Sequence, residues 1–231
     1  MPSLATFAGT QGYGRGARAT AAPSGTIRVN IIGDSNIASI VTALNNAKTA
    51  LGYPAVTITY TQSPIVAGYT GSNLTTANFD VLLLYMNGGL SVNASLGANI
   101  NAFIAAGGKA VYGVFLWNIT ISGLTYTNTP FVYRGAQSNE VATMTVTVVS
   151  PITTGITATL SNGASTYNQP SLVAQSDATV IATAPSGNSL VATQVNPRRV
   201  GINMFPGVLS SYSNAAKLFV NAIMWAAGVL N

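Results

Sequence analysis

The stretch TIRVNIIGDSN (26–36) decides how the rest of the chain is read. Residues 26–32 form a β-branched run of the kind that fills a strand buried on both faces of a parallel sheet. Gly33-Asp34-Ser35-Asn36 breaks that run, and a helix follows with apolar positions at Ile37, Ile40, Val41 and Leu44. Asp34, Ser35 or Asn36 is expected to cap this helix, because short polar side chains satisfy the free N–H groups of a first turn. Gly52 ends it, and residues 56–60 read as a second strand.

The same alternation continues outward. FDVLLLY (79–85) is a third strand that enters a turn at Asn87-Gly88-Gly89, and residues 100–106 form a helix closed by Gly107-Gly108. AVYGVFL (110–116) is a fourth buried strand. The order is βαβ–βαβ, which predicts an α/β fold: a flavodoxin-like parallel sheet with helices on both faces. From 117 to 192 the pattern changes to Thr-rich alternating runs, such as 142–149 and 177–183, separated by Gly, Asn and Pro. These read as a β-rich insertion of short antiparallel strands. Residues 199–205 add another core strand, and residues 214–230 a closing amphipathic helix with Trp225 in the core. The expected organisation is a glycine-rich arm over 1–25 and one α/β domain over 26–231.

Composition narrows the chemistry. Only 6% of the 231 residues are charged, against roughly 25% in an average globular domain. A surface so poor in Lys, Glu, Asp and Arg is expected to be covered in large part by other protein. The net charge of +5 comes from nine basic residues against four acidic ones. Arg15, Arg18, Arg28, Arg198 and Arg199 are too scattered to track a phosphate backbone, so specific nucleic-acid binding is not expected. There is no Cys and no His, which removes thiolate chemistry, the commonest general base and the commonest transition-metal ligand. The carboxylates are Asp34, Asp80, Glu140 and Asp177, too few for a glycosidase pair or a carboxylate-rich metal site. No cofactor, metal or membrane span is expected. Residues 1–25 lack the apolar stretch of a signal peptide, and the sequons at Asn73, Asn93 and Asn118 carry no weight without one.

Four stretches taken in order resemble the class I glutamine amidotransferase-like fold, in particular its ThuA-like branch. They are VNIIGDSN (29–36) with LGYPAVTITY (51–60); FDVLLLYMNGGL (79–90); INAFIAAGGKAVYGVFLW (100–117); and SPITTGI (150–156) with RRVGINMFPG (198–207) and NAIMWA (221–226). The resemblance implies a nucleophilic Cys at the turn after the fourth strand, which here lines up with Phe115 in Gly113-Val114-Phe115-Leu116-Trp117. It implies a His-Pro-Glu near the last strand, which lines up with Phe205-Pro206-Gly207. Phe neither attacks a carbonyl nor accepts a proton, and Gly orients no base, so the resemblance implies the fold without its acyl-transfer chemistry. Gly33-Asp34-Ser35 also resembles the first block of SGNH esterases, with Ser35 as nucleophile, but that chemistry needs a His.

Two sets of functional residues follow. Open α/β sheets bind ligands beyond the carboxyl ends of their strands, a rim expected to carry Ser35, Asn36, Asn87, Trp117 and Asn118. Asn amides beside a Trp platform would suit a glycan. The second set lies in the arm, where LATFAG (4–9) and GYGRG (12–16) resemble the openings of tailed-phage virion proteins. Phe7, Tyr13, Arg15 and Arg18 are its expected contacts, with Tyr13 and Arg15 as anchors, because aromatic and Arg side chains concentrate interface energy. The expectation is a non-catalytic virion structural protein, a capsid-surface subunit or a tail or fibre component assembled in the host cytoplasm. Its partners would be copies of itself and other virion proteins. The alternative is a glycan- or small-ligand-binding module using the strand rim.

Overall fold

The computed structural model describes residues 23–88, 94–117, 120–132, 138–140, 143–160, 166–168 and 172–231. The arm positions Phe7, Tyr13, Arg15 and Arg18, and the rim position Asn118, lie outside the described residues.

One eight-stranded sheet organises the described residues, in the order β2 (Val56–Pro64), β1 (Gly25–Gly33), β3 (Val81–Leu84), β4 (Lys109–Gly113), β10 (Arg198–Ile202), β9 (Ser189–Val195), β8 (Thr179–Thr183) and β6 (Thr145–Val146). The parallel half consists of β1, β2, β3, β4 and β10. The antiparallel extension consists of β6, β8 and β9. β5 (Ser138–Glu140) and β7 (Thr166–Asn168) form a separate antiparallel pair. Part of the expected insertion is therefore no appendage: it continues the main sheet through the β9–β10 hairpin. The flavodoxin-like α/β expectation holds for the parallel half, and the full sheet is mixed.

Helix α1 (Ile37–Ala50) follows β1, α2 (Ala94–Ala105) precedes β4, and α3 (Ser213–Ala227) closes the described chain. The adjacent residues Arg198 and Arg199 show the two faces. Arg198 donates to the Trp225 carbonyl of α3 at 2.8 Å. Arg199, pointing the other way, reaches Asn128, which is bonded to Asn101 of α2. Strands buried on both faces explain the unbroken apolar runs: Val81, Leu82, Leu83 and Leu84 all have zero exposure.

Several boundaries differ from expectation, each for a physical reason. α2 begins six residues before 100, because Gly97 inside it conceals the helical pattern. β4 stops at Gly113, and the chain turns through Val114 to Trp117 instead of continuing as strand. Among the described residues of the 142–149 run, Thr145 and Val146 form strand and Thr143 makes an isolated bridge to Thr159. Trp225 lies at the margin of the core instead of inside it: it is partly buried against the core, and the Arg198 guanidinium lies 5.0 Å from its ring centroid.

Candidate functional site

The carboxyl ends of β1, β3, β4 and β10 meet where an open α/β sheet offers its binding crevice. The Asp34 carboxylate, just past β1, accepts N–H bonds from Asn87 at 2.7 Å and 2.8 Å and from Gly88 at 2.8 Å. Asp34 thus ties the first turn to the third-strand turn and does not cap α1. Nor do its neighbours. Asn36 occupies the cap position in the left-handed region, φ 57°, with no side-chain cap bond. The Ser35 hydroxyl is buried and has no partner among the described residues. The expectation of a side-chain cap is corrected accordingly: these three residues shape the rim instead.

Behind that turn stands Tyr85, fully buried, whose hydroxyl donates to the Ser35 carbonyl. Its ring lies against Gly33 so closely that a Cβ there would come within 2.2 Å of it. Burial pushes the Tyr85 phenol well above its ordinary pKa, and the nearby Asp34 carboxylate adds to the shift.

The centre of the crevice is aromatic. Phe115 and Phe205 stack with ring centroids 5.7 Å apart and planes at 26°. Tyr85 meets Phe205 edge-on at 5.8 Å. Each of the three rings is at most 4% exposed. Backbone bonds seat them: Phe115 N–H donates to the Met86 carbonyl at 2.7 Å, and Val114 N–H to Met204 at 3.2 Å. Pro206 closes over Gly113, where a Cβ would come within 2.6 Å of its ring. The residues that the resemblance sets at the nucleophile and base positions are thus in contact, as rings filling the space.

Of the expected rim residues, Ser35, Asn36 and Asn87 come together across the two turns, with Asn36 and Asn87 exposed. Trp117 does not join them. It has zero exposure, packs edge-on against Phe131 at 4.9 Å and donates its indole N–H to Thr129 at 3.0 Å. Its expected role as a ligand platform is corrected: a residue after a strand end reads as rim, but the turn at 114–117 folds it back inside. Sequence reasoning missed Tyr85 as the support of this site, although its position one residue past β3 was a usable signal. A groove of about 530 Å³ between α1 and the 209–217 segment, lined by Ser39, Thr42, Asn46, Ser210 and Lys217, shares no lining residue with the rim. Among the described residues no three His, Cys, Asp or Glu side chains gather as a metal site would require. No helix among them is long and apolar enough to cross a membrane.

The titrating groups predict an unusual pH profile. With no His and no Cys, no side chain has an ordinary pKa between about 5 and 8, so the unfolding midpoint should stay flat there. The Arg28 guanidinium, hydrogen-bonded to Asp80 at 2.8 Å, holds that carboxyl below its usual range. Its contribution is present above about pH 4 and lost as pH falls; both side chains are partly exposed, so this acid limb should be shallow. Burial raises the phenols of Tyr60, Tyr85 and Tyr112. Above the ordinary value of about 10 the unfolded chain loses these protons while the folded chain keeps them, so stability should fall steeply with rising pH. Tyrosine absorbance at 295 nm, followed beside unfolding, should show these three ionising only as the fold opens.

No family model matches the chain, and no curated protein matches it. Solved structures do. One, described as a ThuA-like protein from Bacteroides uniformis, is 13% identical with a TM-score of 0.57, covering 91% of this chain and 95% of that one. Another, described as a ThuA-like protein from Parabacteroides merdae, is 14% identical with a TM-score of 0.55, covering 88% and 90%. At that identity the likeness speaks for architecture alone, and over nearly the full length of both chains this protein has the amidotransferase-like α/β fold of the ThuA-like structures.

Proposed function

We propose that this chain is a non-catalytic structural protein of a virion, a capsid-surface, tail or fibre component in which an amidotransferase-like domain serves as a building block. The observation that carries the non-catalytic part is the Phe115–Phe205 stack. Two buried rings stand where the resemblance calls for a nucleophile and its base, in a chain without a single Cys or His. Aromatic rings at those two positions supply neither a group to attack a carbonyl nor a base to accept its proton. The assembly part is supported by the 6% charge content and by the likeness of residues 4–16 to tailed-phage virion openings. Its partners are then copies of itself and neighbouring virion proteins, met through Phe7, Tyr13, Arg15 and Arg18, and its place is the particle assembled in the host cytoplasm.

A second reading, a module that binds a glycan or another small ligand at the rim, is favoured by one feature. Ser35 carries a buried hydroxyl without a partner among the described residues, between the exposed Asn36 and Asn87. The loss of Trp117 to the core weakens it, because no platform remains there for a sugar ring.

Quantitative mass spectrometry of purified particles from the source tests the proposal. Many copies per particle, in a fixed ratio to the other virion proteins, is the expected result. Absence from particles would overturn it and leave the rim, titrated with glycans, as the next place to look.

A further inference from the structure

The two edges of the main sheet differ. One edge is β6, only two residues long. The other is β2, nine residues in unbroken register with β1 from Val56 to Pro64. Among the described residues nothing pairs with the outer side of β2. A free edge presents a row of N–H and C=O groups, which proteins ordinarily blunt with charge, proline, a bulge or brevity. β2 uses almost none of these. It has no bulge, its one proline is its last residue, and no Asp, Glu, Lys or Arg occurs between Lys48 and Asp80. Among the described residues the one basic contact is at the first residue, where the Lys48 ammonium donates to the Val56 carbonyl at 2.7 Å.

We infer that β2 pairs edge to edge, antiparallel, with β2 of a second copy of this chain, joining two sheets into one. A two-fold interface requires a surface complementary to itself, and the alternation of β2 supplies it. Thr57, Thr59 and Thr61 are exposed on one face, while Val56, Ile58 and Tyr60 lie on the other and are buried or half-buried. With Thr59 on the axis, Thr57 faces Thr61 of the second copy and Ile58 faces its Tyr60. Threonine pairs and aromatic pairs with β-branched residues are both favourable across strands, and no like charges meet. Just past the strand, Val66 is 60% exposed. The inference does not depend on the virion reading, since such a pair forms equally in free protein.

Sedimentation equilibrium of the full chain tests it. The wild type should be a dimer at micromolar concentration. Thr59→Lys sets two ammonium groups against each other on the axis and should raise the dimer dissociation constant by about tenfold or more. Ser210→Lys, on the exposed turn before α3, should leave it unchanged. Thr59→Glu alone should also be monomeric, and mixing it with Thr59→Lys should restore a dimer, which a misfolded variant would not do. A wild-type monomer at about 100 μM, or a dimer indifferent to both charges, would overturn the inference. So would a monomer whose β2 amides exchange slowly until residues 1–22 are removed, which would assign the edge to the chain's own arm.

Discussion

Trp117→Ala should destabilise the protein by about 4–5 kcal/mol, the upper range for deleting a large buried aromatic plus one buried hydrogen bond. The indole has zero exposure, sits edge-on against Phe131 with planes at 85°, and donates to a threonine that is itself fully buried. The Thr129 hydroxyl oxygen lies 2.9 Å from the carbonyls of both Tyr126 and Phe131. Its one proton serves those carbonyls, and Trp117 supplies the donor for its free lone pair. Removing the indole leaves a cavity and an unmet acceptor together. For a chain of this length the melting temperature should fall by roughly 10–20 °C, and the surviving molecules should unfold at much lower urea. Trp117→Phe should recover most of the packing and lose only the bond, costing about 1–2 kcal/mol more than a conservative core change. Unchanged stability in Trp117→Ala would mean the ring is not in the core, and would reopen the rim platform for a glycan.

The parallel half of the fold was legible because its strands are buried on both faces. TIRVNII and FDVLLLY carry continuous apolar runs that leave little choice of element. The helices were legible where the apolar stripe is regular, as in α1 and α3. Legibility failed where one local signal had two physical solutions. A tryptophan after a strand end can stand on the rim or fold inward, and only the turn at 114–117 decides. Trp225, at an apolar helical position, can enter the core or lie at its margin; it packs against the core only partly buried, with the Arg198 guanidinium over its ring. The β9 strand hid in the Thr-rich segment because SLVATQV reads like the runs around it, although Asn196-Pro197 marks the turn that pairs it with β10. The site divided in the same way. The contact of Phe115 with Phe205 was implicit in where the resemblance set them. The carboxylate of Asp34 crossing to the Asn87 turn was not, because a short polar residue before a helix has capping as its ordinary use.

Gly97→Ala poses the sharpest conflict between local preference and packing. Gly97 lies inside α2, where replacing glycine by alanine should stabilise a helix by about 1 kcal/mol. The tertiary contact reverses the sign. A Cβ at Gly97 would come within 2.3 Å of the Leu124 nitrogen and the Ser122 carbonyl oxygen and within 2.5 Å of the Gly123 carbonyl carbon. All three are backbone atoms, so no side chain can rotate away. The loop is also pinned to the helix: Asn101 donates to the Gly123 carbonyl at 2.7 Å and accepts from the Thr125 N–H at 3.0 Å and the Asn128 amide at 3.1 Å. Making room for a methyl group means lifting this loop and stretching those bonds. It also disturbs the path to Thr129 and Phe131, against which Trp117 packs. A net loss of about 2–4 kcal/mol is expected, toward and beyond the upper range for overpacking because backbone must move. Ala98→Gly, at the exposed neighbour in the same helix, should cost only the propensity term of about 1 kcal/mol. Equilibrium urea unfolding of the two variants separates the effects. If Gly97→Ala instead raised stability, the close approach of α2 to the 121–125 loop would be wrong, and with it the inward path that carries the chain to Thr129 and Phe131.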